Sequence, residues 1–134
     1  MSPVRKRKRI LILEDDDDVS ALLAIALEEA GYEAIVHRDA AEVDPGLTAR
    51  PSVIILDLVM PGARMDGFAF LVGLAEQRTA LQVPVIILSG LGDVMEKAVS
   101  RDMAEHLTIA GVFPKPFSID EVLAKVSELT RSAA

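Results

Sequence analysis

The chain contains no cysteine. Disulfides, thiolate metal sites and cysteine nucleophiles are therefore excluded, and a reducing compartment fits. Aromatic residues make up only 4% of the 134 positions, so a core must be aliphatic. No apolar run approaches the roughly 20 residues that span a bilayer, so no membrane partner is expected. The opening MSPVRKRKRI carries a basic cluster without a long apolar segment behind it. It reads as a solvated arm, not a secretory signal. No G-x-G-x-x-G follows the first apolar run, which argues against a dinucleotide-binding domain. Positive charge is scarce outside the arm, and the net charge of −7 speaks against nucleic-acid binding by the body of the domain.

What is present is a globular balance, 51% hydrophobic and 26% charged, in a length that suits one domain. The expected division is a basic arm over 1–8, one domain over 9–131 and a short tail over 132–134. Five short apolar runs alternate with helical patterns. Ile10–Leu13 comes first. Val19, Leu22, Leu23, Ala26, Leu27 and Ala30 then recur at helical spacing, and Gly31 can end that helix. Residues 32–37 read as a weaker strand. Asp39 and Glu42 predict a capping box for a helix to about Leu47. Val53–Leu56 is a solid apolar strand ending at Asp57, followed by the loop VMPGARMDG and a helix over about 67–77. Pro84 opens a fourth strand ending at Ser89, a long helix is expected over about 93–107, and 111–113 reads as a short fifth strand. Ser118 and Glu121 predict the cap of a last helix.

Continuous apolar strands are buried on both faces, and strand–helix alternation implies a parallel sheet. The strongest strands, first, third and fourth, belong in the centre. The fold expected is therefore a flavodoxin-like, doubly wound α/β sheet of five parallel strands in order 2-1-3-4-5, with five helices. In such a sheet ligands gather at the carboxyl ends of the strands, where strand order reverses.

That rule gives meaning to ILILEDDDDV, in which five consecutive acids follow a buried strand. Crowded carboxylates repel and raise one another's pKa unless a cation relieves them. Oxygen ligands suit Mg²⁺. Asp15 and Asp57 can supply carboxylates to such an ion, while Asp16, Asp17 and Asp18 are better placed to cap and charge the next helix. A calcium loop is not supported, since Ser20 stands where an EF-hand needs glycine. Asp57, Ser89 and Lys115 end the third, fourth and fifth strands at the same edge. An aspartate can attack phosphorus to give an acyl phosphate, and a cation with an ammonium neutralises charge on the transferring group. With no base for hydrolysis in evidence, the set suits a lasting switch more than an enzyme. His37 and His106 lack partners at ligand spacing.

At these residues the chain resembles the receiver domains of two-component response regulators. The matching pieces are ILILEDD, IILDLVMPG, MDG, VIILSG and FPKPF, in the family's order and across nearly the whole chain. The resemblance implies that Asp57 is the phosphoacceptor, that Asp15 binds Mg²⁺ with Glu14 assisting, and that the Val59 backbone carbonyl completes the protein ligands. It implies that Ser89 bonds the phosphoryl group, that Lys115 pairs with it, and that Lys115–Pro116 is cis. The phosphodonor would be a sensor histidine kinase or a phosphotransfer protein in the cytoplasm, the reader an unknown downstream protein. The domain would be a monomer or a weak homodimer through its last two helices.

The chain also departs from the family. Val112 stands where an aromatic is common, with Phe113 beside it, so either the switch is smaller or Phe113 serves instead. The loop after Asp57 is about two residues longer than usual and carries Arg64, which reads as solvated or as a contact to the phosphoryl group or a kinase. The stretch from Ser89 to Lys115 is also long, with Met95, Val99 and Met103 in a stripe. Val59 and Leu91 are apolar and cannot orient a water, so a long-lived phosphoryl group is expected. Two other readings compete: a degenerate receiver that binds partners regardless of phosphate, and an aspartate-nucleophile phosphatase. The latter wants a second Asp two residues after the first, where this chain has Val59.

Overall fold

The computed structural model describes residues 7–44, 50–76, 83–90 and 108–131. Five parallel strands form one sheet in the order β2-β1-β3-β4-β5. They are β1 (Arg9–Leu13), β2 (Glu33–His37), β3 (Val53–Asp57), β4 (Pro84–Ser89) and β5 (Thr108–Pro114). β1 sits between β2 and β3, with Leu11 opposite Ile35 on one side and Ile54 on the other. The three continuous apolar runs are the three central strands, and β3 is buried along its whole length. A parallel sheet covered on both faces demands such runs.

Strand alternation splits the core into two layers. Leu11, Leu13, Ile54, Leu56, Val85 and Ile87 face α2 (Gly67–Glu76), whose Phe70, Leu71 and Leu74 cover them. Ile10, Ile12, Val53, Ile55, Ile86 and Leu88 face Leu23 and Leu27 of α1 (Asp17–Glu29) and Val122 and Val126 of α3 (Ile119–Arg131). Side chains buried this fully contribute about 1.5–3 kcal/mol each.

The helix ends follow from local chemistry. Asp16 caps α1 by accepting from the backbone N–H of Asp18 and Val19. Gly31, at φ +97°, ends it. Its N–H bonds Glu28 O at 3.0 Å and the N–H of Tyr32 bonds Leu27 O at 3.0 Å, the paired closure of a Schellman motif. Asp66 caps α2 through the N–H of Ala69 at 3.0 Å, and Ser118 Oγ accepts from the N–H of Glu121 at 3.3 Å ahead of α3.

Three expectations change. After Asp39 the described residues form a 3-10 turn over Ala40–Glu42, and Val43 is already extended. The rest of that expected helix (45–49) lies outside the described residues, as do the helix over 93–107, Leu91, His106 and the Met95–Val99–Met103 stripe. The described residues thus hold three of the five expected α-helices. β5 is longer than the expected 111–113, because the register slips between Ile109 and Gly111 and leaves Ala110 as a bulge. The basic arm is tied down where it is described: Arg7 pairs with Glu28 at 2.6 Å and Lys8 Nζ donates to Thr130 O at 2.5 Å.

Candidate functional site

Four strand ends place the functional side chains at one edge of the sheet. Glu14 and Asp15 directly follow β1, Asp57 ends β3, Ser89 ends β4 and Lys115 directly follows β5. One carboxylate oxygen from each of Glu14, Asp15 and Asp57 lies within 4.8 Å of the others. Glu14 is fully buried, Asp57 is 5% exposed and Asp15 is half-buried. Three acids this close need positive charge among them or a proton on one of them.

Lys115 supplies part of it. Its Nζ donates to both oxygens of Glu14 at 3.0 Å and to Asp57 Oδ2 at 2.8 Å. Asp57 Oδ1 accepts from the N–H of Val59 at 3.1 Å. The N–H of Lys115 in turn donates to the carbonyl of Ser89 at 2.8 Å, which fixes the lysine's backbone beside the buried serine. The Lys115–Pro116 peptide is cis. Burial pushes the Glu14 carboxyl up to about 7, with the charge of Asp57 adding and Lys115 opposing. Burial alone would lower the Lys115 ammonium, but its hydrogen bonds and the charges of Asp57 and Glu14 outweigh this and raise it. The donor set is entirely oxygen, which suits a hard divalent cation rather than zinc.

The five acids of the opening run divide their work. Glu14 and Asp15 face the cluster. Asp16 is the α1 cap, and Asp17 and Asp18 occupy the first turn of that helix. Asp17 pairs with Arg38 at 3.1 Å.

Other expectations resolve differently. Arg64 is 80% exposed on its side chain and turns toward Asp39, at 3.5 Å, rather than toward Asp57. Val112 packs in the α2 layer, whereas Phe113 packs in the α1–α3 layer. Neighbours on a strand face opposite ways, so Phe113 cannot take the place of an aromatic at 112. Two contributions escaped the sequence reading. Gly67 opens the helix expected over 67–77, and a Cβ there would lie 1.9 Å from the carbonyl oxygen of Asp57. Asp39 was read as a local cap, yet its carboxylate also accepts from the backbone N–H of Arg64 at 2.8 Å and Met65 at 3.1 Å.

The comparisons agree with this geometry. Residues 10–127 match the family model described as response regulator receiver domain. The DNA-binding dual master transcriptional regulator RpaA of Synechocystis is 34% identical over 126 residues, covering 92% of this chain and 49% of that protein. The chain spans about half the length of that relative and of the alkaline phosphatase synthesis transcriptional regulatory protein PhoP of Bacillus subtilis. The Francisella response regulator 1452 receiver domain superposes with a TM-score of 0.77 at 29% identity, over 96% of this chain and 100% of that one. With strand order, strand-end acids and a match over most of its length in agreement, the chain belongs to the response regulator receiver domains of two-component signalling.

Proposed function

We propose that Asp57 is the phosphoacceptor of this domain and that Glu14, Asp15, Asp57 and the backbone carbonyl of Val59 hold Mg²⁺. The observation that carries this reading is the convergence of three carboxylates within 4.8 Å, two of them bridged by Lys115, at the carboxyl edge of the sheet. Bound Mg²⁺ would neutralise charge on the transferring phosphoryl group. A carboxylate oxygen of Asp57 attacks the phosphorus of a phosphohistidine. The P–N bond breaks, the imidazole leaves, and Asp57 carries an acyl phosphate. Lys115, already 2.8 Å from Asp57, moves its hydrogen bonds to the phosphoryl oxygens. The Ser89 hydroxyl, buried one strand away, donates to the same group and carries the change into β4.

The donor in this reading is a sensor histidine kinase or a phosphotransfer protein, and the reader is a downstream protein. The domain acts as a signalling switch in the cytoplasm, not as an enzyme. Among the described residues no helix is long and apolar enough to cross a membrane. An apolar groove of about 440 Å³, lined by Val19, Leu22, Pro116, Phe117 and Ile119, borders Lys115.

The test is intact mass after incubation with acetyl phosphate and Mg²⁺. Wild-type protein gains one phosphoryl group, and the Asp57→Asn variant gains none. Equal labelling of both would overturn the assignment. No labelling of either would favour a phosphate-independent binding module.

A further inference from the structure

The turn after β2 joins the two walls of the carboxylate cluster. On one side, the N–H of Glu14 donates to the His37 carbonyl at 3.1 Å, so the Glu14 wall is fixed to the end of β2. On the other, two residues later, Asp39 grips the loop that follows the acceptor. Its side chain is 16% exposed and accepts from the N–H groups of Ala41 at 2.9 Å, Arg64 at 2.8 Å and Met65 at 3.1 Å. The N–H of Ala40 adds a bond to the Met65 carbonyl at 3.0 Å. From Met65 the chain passes directly to Asp66 and Gly67, and Gly67 lies against the carbonyl of Asp57. The N–H of Phe68 closes the circuit on Leu58 O at 3.0 Å. The loop from Leu58 to Asp66, which bears the Val59 carbonyl, is thus pinned at its far end by one carboxylate from another element.

We propose that Asp39 is a positioning residue that sets the divalent-cation affinity of the cluster by fixing the acceptor loop against the Glu14 wall. The inference rests on the reading of Glu14, Asp15, Asp57 and Val59 as a cation site. Asp39 touches none of those side chains in the contacts described. It acts through Arg64, Met65 and Gly67, as outer hydrogen-bonding partners orient ligands in metal sites. The substitution Asp39→Asn is graded. Its amide oxygen at the Oδ1 position keeps the bonds to Ala41 and Met65, while its NH₂ faces the N–H of Arg64 and loses that bond.

The test is isothermal titration calorimetry with Mg²⁺ on wild-type, Asp39→Ala, Asp39→Asn and Tyr32→Phe proteins, with amide hydrogen exchange of residues 58–66 measured without metal. Tyr32 bonds Thr130 at 2.8 Å near the amino end of the sheet, so Tyr32→Phe is a hydrogen-bond deletion remote from the cluster. The Mg²⁺ dissociation constant rises about 10-fold in Asp39→Ala, by less in Asp39→Asn, and stays within about twofold in Tyr32→Phe. Exchange in 58–66 speeds up in the two Asp39 variants alone. If Asp39→Ala does not fold, a raised constant in Asp39→Asn supports the proposal and an unchanged one overturns it. Folded Asp39 variants with wild-type constants overturn the brace while leaving the cation site standing. Wild-type protein that takes up no Mg²⁺ overturns the cation reading, and the affinity claim with it.

Discussion

At the scale of single residues, the site is a balance of buried charge. Lys115 is the counter-ion for Glu14 and Asp57. Breaking a buried pair by removing one partner costs about 3–5 kcal/mol. Lys115 is 24% exposed, and Glu14, already pushed to about 7, can take up a proton when the ammonium is gone. Lys115→Met should therefore lose about 3 kcal/mol in urea unfolding, the low end of that range. Its melting temperature should rise more on adding Mg²⁺ than that of the wild type, because the cation then replaces the missing charge. An unchanged unfolding midpoint would show that the pair contributes nothing. Asp39 gives a pH signature. Hydrogen bonds from Arg64, Ala41 and Met65 hold its carboxyl down at about 2, below the usual 3.8. A depressed carboxyl adds stability above its unfolded value and loses it as pH falls through the folded one. The difference in urea midpoint between wild type and Asp39→Asn should stay constant between pH 5 and 8, then shrink from about pH 4 toward 2. A difference that instead changed across pH 5–8 would assign the effect to another group. The placement of Asp57 and Lys115 at one edge of the sheet was legible in the sequence because each sits at the end of an apolar run. The grip of Asp39 on residues 64 and 65 was not, because a hydrogen bond between distant segments leaves no spacing to read.

At the scale of elements, α2 offers an internal contrast between two glycines. At Gly67 an added Cβ would meet the Asp57 carbonyl oxygen at 1.9 Å, and backbone on both sides cannot yield cheaply. At Gly73, in the same helix, nothing lies within 4 Å. Gly67→Ala should cost about 1–3 kcal/mol as overpacking and should slow labelling by acetyl phosphate, since the acceptor's own backbone must move. Gly73→Ala should instead stabilise by about 0.5–1 kcal/mol, because glycine in a helix interior carries excess conformational entropy. Thermal denaturation beside mass spectrometric labelling checks both, and equal effects of the two would refute the close approach at Gly67. The same elements show where sequence patterns suffice. The caps at Asp16 and Ser118 and the stop at Gly31 are local chemistry and were legible. The turn at Ala40–Glu42 was not, because Asp39 spends its carboxylate on a distant loop as well as on the turn. Nor was the full length of β5, where Ala110 and Gly111 break the apolar run and tertiary pairing with β4 overrides weak local preference.

At the scale of the whole molecule, strand order 2-1-3-4-5 was legible because burial grades from the central strands outward. The two-layer core then decides what surrounds the acceptor. On the α2 side lie Leu56, Leu58, Met60 and Val112, with Val59 packed against the same layer. Hydrolysis of an acyl phosphate is accelerated by a polar side chain that holds a water in line with the P–O bond. Val59, two residues from Asp57 and packed against that layer, offers none. Glu14 and Asp15, the acids near Asp57 among the described residues, are engaged in the proposed cation site. The phosphoryl group should therefore persist for minutes or longer in buffered Mg²⁺. Val59→Asn places an amide where a water can be oriented, at little change in volume, and should shorten that lifetime severalfold. Val59→Ala, which only removes bulk, should change it less. Intact mass followed over time after removal of acetyl phosphate separates the cases. Wild-type label lost within seconds would show that another group orients the water. Equal acceleration by Asn and Ala would show that Val59 protects by bulk and not by lack of polarity.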